Sequence, residues 1–292
     1  MASMESTTHT PLNRRSFITT LTALGGAAAL QPALRGEPRK GRIKQAVCGS
    51  VFSGLKLDMD GMCREAARLG AWGIDLVGPE AFPSLKRHGL IPTMVPGGSG
   101  IQHGINDPSY HAEIDRRLRA AIQATAQAGA PNVILLAGDR KGLSDESGMD
   151  NTVAFLNKVK SYAEDRQITL CMELLNSKVD HPGYMCDSTR WGVEVCKRVN
   201  SPRVKLLFDI YHMQIMEGDI IHTIRDNIQH IGHFHTAGNP GRHQFDETQE
   251  LNYAPICKAI AESGFQGFMA HEYSPTRDPL GTLEKMMGIC EV

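Results

Sequence analysis

Two segments, VKLLFDIYHMQ (204–214) and QHIGHFHTAGNPGRH (229–243), decide the fold. Each begins as a short apolar run and ends in acids, histidines or an arginine. Two further runs, ITLCMELLN (168–176) and GFMAHEY (267–273), each carry a glutamate near their end. Parallel β/α proteins build their active sites at the carboxyl ends of their strands. The four runs therefore predict parallel strands whose polar ends meet in one site.

The chain alternates, from about residue 43, between short apolar runs and segments with helical spacing. Runs rich in Val, Ile and Leu without polar alternation are typical of strands covered on both faces. The predicted strands are 43–52, 73–78, 90–95, 132–138, 168–175, 204–211, 230–237 and 267–273. The predicted helices are 58–70, 79–89, 108–129, 151–166, 188–199, 217–227, 252–264 and 279–289. Eight such units favour an α/β fold, a single-domain (β/α)8 barrel over residues 36–292, rather than an open doubly wound sheet.

Four polar residues come from the ends of the last four predicted strands: Glu173, Asp209, His235 and Glu272. Adjacent strand ends in a barrel lie about 5 Å apart, and three carboxylates that close cannot all stay ionised without a cation. Oxygen ligands with one imidazole suit a divalent ion such as Mn2+, Mg2+, Co2+ or Zn2+. Taken one at a time, each residue could be a salt-bridge partner or a core histidine. The set as a whole predicts a metal site.

Longer loops follow several predicted strands, and such loops suit the walls of a substrate pocket. The Gly-rich segment 95–107 contains His103, which is either a substrate-binding wall residue or a plain loop residue. Arg242 could hold a substrate carboxylate through two parallel hydrogen bonds. The alternative is that Arg242 is a solvated loop residue. His233 is interpreted as a core or surface histidine.

The N-terminal segment is predicted to be an export signal, not part of the barrel. It has Arg14 and Arg15 followed by the apolar run FITTLTALGGAAAL (17–30). A membrane-spanning helix needs about 20 apolar residues, so this run is short for one. A charged start, a short apolar run and small residues are typical of a signal peptide, and the paired arginines indicate the twin-arginine type. Residues 1–35 are therefore expected to direct export, to the periplasm, with no stable membrane insertion.

Overall charge and cysteine content exclude several classes of protein. The net charge of −1 gives no electrostatic basis for binding nucleic acid. The seven cysteines are odd in number and show no CxxC or Cys/His zinc spacing, so neither a disulfide framework nor a structural zinc site is expected. The expected partner is a small hydroxy-carbonyl substrate, and self-association into a homo-oligomer stays open.

Several motifs together resemble one family. They are MELLN (172–176), FDIYHMQIMEGD (208–219), HFHTAGNPGRHQFD (233–246), LNY (251–253) and HEY (271–273). These motifs are similar to the xylose-isomerase-like barrel superfamily, and most of all to its hydroxypyruvate isomerase family. The resemblance covers roughly residues 43–290 and is strongest from 168 onward.

The resemblance implies a site and an activity. In that family two glutamates, an aspartate and a fourth ligand on strand seven hold one divalent metal ion, Mn2+ or Mg2+ ahead of Co2+ or Zn2+. Carried over, these ligands are Glu173, Asp209, His235 and Glu272, and the two glutamates are also the catalytic residues that move a proton. His212 and Arg242 are implied to contact substrate oxygens. The implied reaction interconverts an α-hydroxy ketone and an aldehyde through an enediolate stabilised by the metal as a Lewis acid.

Alternative functions differ in substrate or in class. Hydroxypyruvate isomerases usually carry Gln where this chain has His235, whereas the related ketose 3-epimerases carry His. A ketose 3-epimerase or a keto-sugar lyase on the same barrel is therefore the nearest alternative. An endonuclease IV-type nuclease would need more histidine ligands and a basic face. A non-catalytic exported sugar-binding module would keep the metal ligands without needing two glutamates that move a proton.

Overall fold

The structure, a computed structural model, describes residues 38–292 and forms a closed barrel of eight parallel strands in the order β1 to β8. The strands are β1 Lys44–Cys48, β2 Gly73–Asp75, β3 Ile91–Pro96, β4 Asn132–Leu135, β5 Thr169–Glu173, β6 Val204–Asp209, β7 Ile231–Thr236 and β8 Phe268–His271. Each strand pairs with the next along the chain, and β8 closes on β1. The predicted (β/α)8 barrel is confirmed; seven strands lie within their predicted runs, and β3 ends one residue beyond its run, at Pro96.

Helices connect the strands on the outside of the barrel. They are α1 Met59–Arg68, α2 Phe82–Arg87, α3 His111–Gln127, α4 Asp145–Glu164, α5 Thr189–Val199, α6 Ile210–Met216, α7 Ile220–Asn227, α8 Tyr253–Glu262 and α9 Pro279–Ile289. Short 3-10 turns occupy Gly49–Phe52, Pro79–Ala81, Pro108–Tyr110 and Ile228–His230. Because every crossover between parallel strands runs over the outer face, the carboxyl ends of all the strands open at one end of the barrel.

Local sequence signals explain several helix ends. The Asp58 side chain accepts a hydrogen bond from the Gly61 amide at 2.8 Å and so caps the start of α1. Gly70 follows that helix with a φ of 82°, a left-handed conformation that glycine adopts without steric cost. In α5 the Ser188 hydroxyl caps the start, and Asn200 takes the left-handed position at the end with a φ of 49°.

Two helices differ from the sequence prediction. α4 begins at Asp145, six residues before the predicted start at 151, because the Ser144 hydroxyl caps it by accepting from the Ser147 amide at 3.1 Å. The loop before α4 is correspondingly shorter than the gap between the predicted strand 132–138 and the predicted helix 151–166. α6 begins at Ile210, inside the predicted strand 204–211, so the predicted end of that strand is wrong. The Asp209 side chain accepts from the His212 amide at 3.2 Å, so a helix begins as soon as β6 ends.

Apolar side chains fill both the barrel interior and the layer between barrel and helices. A small inner cluster consists of Met94, Ile134, Cys171 and Leu207 from four successive strands. A much larger outer cluster lies between the strands and the helices. All seven cysteines are buried and free in the described residues. The site is therefore supported by a packed barrel core.

The predicted export signal, residues 1–35, and the predicted domain start at residue 36 lie outside the described residues. Within residues 38–292, none of the helices is both long and apolar enough to span a bilayer.

Candidate active site

Four polar side chains converge at the carboxyl end of the barrel. Glu173 and Asp209 are the last residues of β5 and β6, His235 is the next-to-last residue of β7, and Glu272 directly follows β8. One ligand atom from each lies within 4.8 Å of the ligand atoms of the other three. Asp209 pairs with His235 between β6 and β7, and the Glu272 amide donates to the Thr236 carbonyl at 3.0 Å. These contacts set the positions of Asp209, His235 and Glu272 along the barrel axis. The structure thus brings together the four residues that the sequence singled out.

The geometry of His235 fits a shared cation. Its Nδ1 lies 2.7 Å from a Glu272 oxygen and 3.3 Å from a Glu173 oxygen. Despite these short distances, this buried nitrogen has no partner in hydrogen-bond geometry. Donor atoms that crowd together without bonding each other are arranged as ligands around a common point. Three carboxylates and one imidazole suit a divalent metal of the hard or borderline kind. Their role as metal ligands stays a prediction.

The two glutamates differ in their electrostatic surroundings. Burial raises the pKa of Glu173 above its usual range, and the charge of Glu272 adds to this effect. Burial acts on Glu272 in the same direction, but the positive charges of His235 and Arg242 outweigh it and lower the pKa of Glu272. Environments that push the pKa values of two neighbouring carboxyls apart suit one group to give a proton while the other takes one.

Arg242 reaches the site from the turn after β7. The Gly238 amide bonds the His243 carbonyl at 2.6 Å across this turn, and the Ser274 amide bonds the Arg242 carbonyl at 3.0 Å. The guanidinium Nη2 lies 3.0 Å from Asp209 and 2.6 Å from Glu272. The side chain is only 24% exposed. The interpretation of Arg242 as a solvated loop residue is therefore wrong, and it lies beside the cluster as the substrate-binding interpretation requires.

His212 faces the guanidinium of Arg242 and presents a defined nitrogen to the pocket. The Asn176 side-chain oxygen accepts from the Val179 and Asp180 amides, at 3.1 and 2.8 Å, so its NH2 group must face the His212 Nδ1, 2.6 Å away. Nδ1 is then an acceptor, and Nε2 carries the proton. Burial lowers the pKa of His212 to about 4, which keeps the ring neutral. The Arg242 Nη1 group contacts the His212 Nε2 atom, so the two side chains line the pocket together.

A small cavity opens above the cluster. Its volume is about 320 Å³, at the lower end of the range for ligand pockets. It is lined by Ile101, Glu173, Leu175, Asp180, His181, His212, Arg242 and Glu272. This size suits a substrate of a few carbon atoms. His181 was not singled out from the sequence, since a lone histidine in a polar loop carries no periodic signal.

His103 does not join the other predicted residues. It is exposed in the loop after β3, where its Nδ1 lies 2.9 Å from the Lys141 ammonium and its ring packs on Tyr110. It is not among the residues that line the cavity. Its neighbour Asn106 is buried and bonds the Asp139 carbonyl at 2.9 Å, so it holds two loops together. The substrate-binding role predicted for His103 therefore gains no support from the geometry.

Beneath the cluster lies a carboxylate that the sequence reasoning missed. Asp75, the last residue of β2, is fully buried and lies 3.0 Å from His235 Nε2 and 2.6 Å from His233 Nε2. Burial alone would raise the pKa of Asp75, but the two imidazoles hold it below its usual value. His233 is thus a bonded core histidine, as interpreted. The available signal was strand alternation, which puts His233 and His235 on the same face of β7.

A larger groove lies away from these groups. It has a volume of about 700 Å³ and runs between α2 and α3, lined by residues such as Phe82, Leu90 and Ala124. No acid or histidine is among its lining residues. The chemistry therefore belongs to the smaller cavity at the strand ends.

The sequence matches the xylose isomerase-like TIM barrel family over residues 81–288. It is 31% identical over 169 residues to hydroxypyruvate isomerase of Escherichia coli, which covers 58% of this chain and 65% of that protein. It is 36% identical over 124 residues to 2-oxo-tetronate isomerase of Cupriavidus necator, covering 41% and 47%. Matches to relatives in Danio rerio, Homo sapiens and Mus musculus likewise span 63%, 64% and 64% of those proteins, less than two thirds.

Solved structures share the fold. An AP endonuclease, family 2, from Brucella melitensis superposes with a TM-score of 0.77 at 22% identity, covering 84% of this chain and 99% of that chain. A 3-keto-D-glucoside 4-epimerase from E. coli superposes with a TM-score of 0.72 at 18% identity, covering 84% and 98%. At these identities the likeness is one of fold, which proteins with different activities share.

Proposed function

The chain belongs to the xylose isomerase-like TIM barrel family, and on that premise we propose that it is a divalent-metal-dependent isomerase of small α-hydroxycarbonyl compounds. The observation that carries the proposal is the convergence of Glu173, Asp209, His235 and Glu272 within 4.8 Å. Relatives named hydroxypyruvate isomerase and 2-oxo-tetronate isomerase support the substrate class. The preferred reaction is that of a hydroxypyruvate isomerase, which interconverts an α-hydroxy ketone and an aldehyde.

The two glutamates would carry the proton. A divalent ion, with Mn2+ or Mg2+ preferred, would be held by the four residues and would supply a Lewis acid for a substrate oxygen that gains negative charge. One glutamate removes a proton from carbon, and the same or the other glutamate returns a proton to the neighbouring carbon. Their opposite pKa shifts in the metal-free protein are consistent with different proton affinities at the two positions.

Arg242 and His212 would orient the substrate. Both side chains line the cavity and contact each other, and the guanidinium adds a positive charge. A substrate with a carboxylate, such as hydroxypyruvate, provides acceptor oxygens for this pair. The small cavity limits the chain length of the substrate and holds its reacting carbons near the glutamates.

A ketose 3-epimerase is the second candidate, because His235 occupies the position where the epimerases of this superfamily carry His. An epimerase would use the same two glutamates on opposite faces of one carbon. Glu173 and Glu272 come from β5 and β8 and approach the cluster from different strands. The two reactions differ in which carbon receives the proton, so one experiment separates them.

The test is proton exchange followed by NMR in D2O. The Mn2+-loaded protein, without residues 1–35, is incubated with hydroxypyruvate, 2-oxo-tetronate and a set of ketoses. Deuterium in hydroxypyruvate, with tartronate semialdehyde formed, supports the isomerase, whereas exchange at C3 of a ketose alone supports the epimerase. Loss of exchange in EDTA and its return with Mn2+ would support metal dependence. Turnover that persists in EDTA, or no exchange with any compound, would overturn the proposal.

A binding module would behave differently in the same assay. Replacing Glu173→Gln would leave a sugar-binding protein able to bind its ligand, measured by calorimetry. An enzyme with the same substitution loses turnover while substrate affinity changes far less. Ligand binding with no turnover in either protein would favour the binding module.

We also propose that residues 1–35 export the protein by the twin-arginine route. The proposal rests on Arg14, Arg15 and the apolar run that follows them. Mass spectrometry of the protein from a periplasmic fraction should find an N-terminus between residues 30 and 36. The double substitution Arg14→Lys and Arg15→Lys should retain the protein in the cytoplasm. Export that is unaffected by this substitution would contradict the twin-arginine route.

A further inference from the structure

Asp75 occupies the layer of the barrel interior directly below the four converging residues. Its Oδ2 lies 2.6 Å from His233 Nε2 and 3.0 Å from His235 Nε2, and its Oδ1 accepts the Thr93 hydroxyl. The side chains of Asp75, His233 and His235 are all fully buried. Asp75 comes from β2, whereas both histidines come from β7, so the contact crosses the barrel.

The chemistry of this contact fixes which nitrogen of His235 is free. An ionised carboxylate only accepts hydrogen bonds, so His235 must donate its Nε2–H to Asp75. Nδ1, which lies 2.7 Å from Glu272, is then the nitrogen that can give its lone pair to a metal ion in place of a proton. The ring is thereby fixed in both rotation and proton position. In metal sites, partners of this kind hold a ligating imidazole in place.

We propose that Asp75 is a positioning residue that holds His235 with its proton on Nε2 and its Nδ1 aimed at the divalent ion. The proposal rests on the metal site proposed above. Asp75 does not touch the substrate cavity, which is lined by other residues. It acts only through His235, and its own place is held by Thr93 and His233.

A second metal site at the same place is a weaker explanation. Cys48, Asp75 and His235 also offer ligand atoms within 4.8 Å of one another. However, Asp75 already accepts three hydrogen bonds, and His235 Nε2 is used in one of them. A thiol is also a poor ligand until it loses its proton, and burial together with the charge of Glu272 raises the pKa of Cys48. This group is therefore a support for the upper cluster.

Removing the Asp75 carboxylate from water costs folding free energy, and the packing of its side chain alone does not offset that cost. Replacing a buried ionic group by apolar residues of similar volume is often neutral or stabilising for the fold. A residue kept only for stability would therefore be replaceable without effect on the cluster above it. A positioning residue, in contrast, changes the state of His235 when it is removed.

The experiment compares Asp75→Ala and Asp75→Asn with a matched control, Gln45→Ala. Gln45 is also buried on a neighbouring strand and accepts from a histidine, with His271 Nε2 at 2.9 Å, but its partner does not face the cluster. The first readout is a long-range 1H–15N spectrum of metal-free protein with ring-labelled histidine, assigned with His235→Gln. The second readout is the Kd for Mn2+ from titration calorimetry.

Wild-type protein should show a slowly exchanging low-field proton on His235 Nε2. That signal should disappear in Asp75→Ala and return in Asp75→Asn, whose amide oxygen can still accept it. Affinity for Mn2+ should fall roughly 10–100-fold in Asp75→Ala, the usual cost of losing such a partner, and should change less than twofold in Gln45→Ala. If Asp75→Ala does not fold, Thr93→Val, which removes one support of Asp75, takes its place with a smaller change expected in the same direction.

An unchanged Nε2 proton and an unchanged Kd in Asp75→Ala would overturn the proposal. An equal loss of Mn2+ affinity in Gln45→Ala would overturn it as well, because the effect would then be one of general destabilisation. If wild-type protein binds no Mn2+, the proposed metal site fails. The spectrum still decides whether Asp75 sets the proton position of His235.

Discussion

The two halves of the barrel end differently at the face that carries the site. Strands β5 to β8 end in Glu173, Asp209, His235 and Glu272, which converge on one point. Strands β1 to β4 end at or near Cys48, Asp75, Pro96 and Leu135. The second half delivers all four residues of the converging cluster, and the first half delivers a single carboxylate, Asp75, that lies under them.

This difference teaches that a symmetric fold does not require a symmetric distribution of function. All eight strands make the same kind of parallel pairing, so every strand end is geometrically available. Charge is concentrated on one side, where the ends of neighbouring strands about 5 Å apart bring donor atoms close to one another. The remaining strands are then free to supply the packed core that keeps those donors in place.

The largest expected difference between the halves is in activity, and it is tested by removing a carboxylate from each half in turn. Glu272→Gln or Glu173→Gln should lower kcat about 10²–10⁴-fold, the usual contribution of a group that transfers a proton in the transition state. Glu80→Gln is the control, since Glu80 is exposed just after β2 in the other half. It should leave kcat within about twofold of wild type, following the small effect of exposed substitutions. Kinetics on the best substrate of the exchange assay would check this.

A drop of less than tenfold in both Glu272→Gln and Glu173→Gln would remove the functional difference between the halves. A drop in Glu80→Gln comparable to either would place catalytic groups in the first half as well. Circular dichroism of each variant separates loss of chemistry from loss of fold.

Removing a core side chain from the first half should lower the free energy of unfolding rather than the activity. Met94 is fully buried in the inner cluster, so Met94→Ala should lower the free energy of unfolding by about 2–5 kcal/mol, the range for a cavity left by a large core side chain. Activity per folded molecule should stay within about threefold, because no donor atom moves when the barrel holds its shape. Urea unfolding and kcat, measured on the same preparation, would check both. Val179→Ala, at a side chain that is 64% exposed, is the control and should change stability by less than about 0.5 kcal/mol.

The contact between the halves, where β8 pairs with β1, should become less stable at acid pH. His271 on β8 is buried between Gln45 on β1 and Thr236 on β7, and burial, with a smaller effect of Arg39, lowers its pKa from 6.5 to about 3. Since the folded pKa lies below the unfolded one, this stability is present above pH 6.5 and is lost as pH falls toward 3. From pH 6.5 to 5, wild type should therefore lose about 2 kcal/mol more than His271→Asn.

Urea unfolding of wild type and His271→Asn at both pH values provides the measurement, and taking the difference cancels the other titrating groups. Val179→Ala, at an exposed side chain that does not titrate, is the control and should keep the pH dependence of wild type. If wild type and His271→Asn lose the same free energy of unfolding between the two pH values, protonation of His271 does not destabilise the contact between β8 and β1.

The smallest expected effect concerns a helix cap in the first half. Ser144 caps α4, and Ser144→Ala should lower the free energy of unfolding by about 1 kcal/mol without changing kcat. Ser161→Ala, at an exposed position inside the same helix, should be neutral or slightly stabilising, since Ala is the better helix former. Denaturant titration would resolve the two. A change in kcat for Ser144→Ala would show that the loop after β4 also shapes the site.

The sequence alone predicted the barrel because its strands are covered on both faces and therefore appear as continuous apolar runs. It also predicted the cluster, since an acid inside such a run is costly unless it serves a purpose. Asp75 was missed because one acid in the short run GIDLV has no local signal, and its partner His233 lies 158 residues away. Such pairs exist only after the strands have paired.

Other residues were mistaken for reasons of local geometry. The segment after Asp209 is rich in aromatic and branched residues, which favour strands, but the cap made by Asp209 starts a helix there. His103 and Arg242 lie on loops, where residue type and spacing do not predict which way a side chain points. Tertiary contacts turn Arg242 toward Asp209 and Glu272 and leave His103 beside Lys141.

The pairing of β1 with β8 means that the last strand made is also the one that closes the barrel. Glu272 directly follows that strand, whereas Asp75 lies on β2, the second strand of the barrel. The four converging residues therefore come together only after β8 has paired with β1. An ion shared by them would bind only after that pairing, so closure of the barrel and completion of the proposed metal site would be one event in folding.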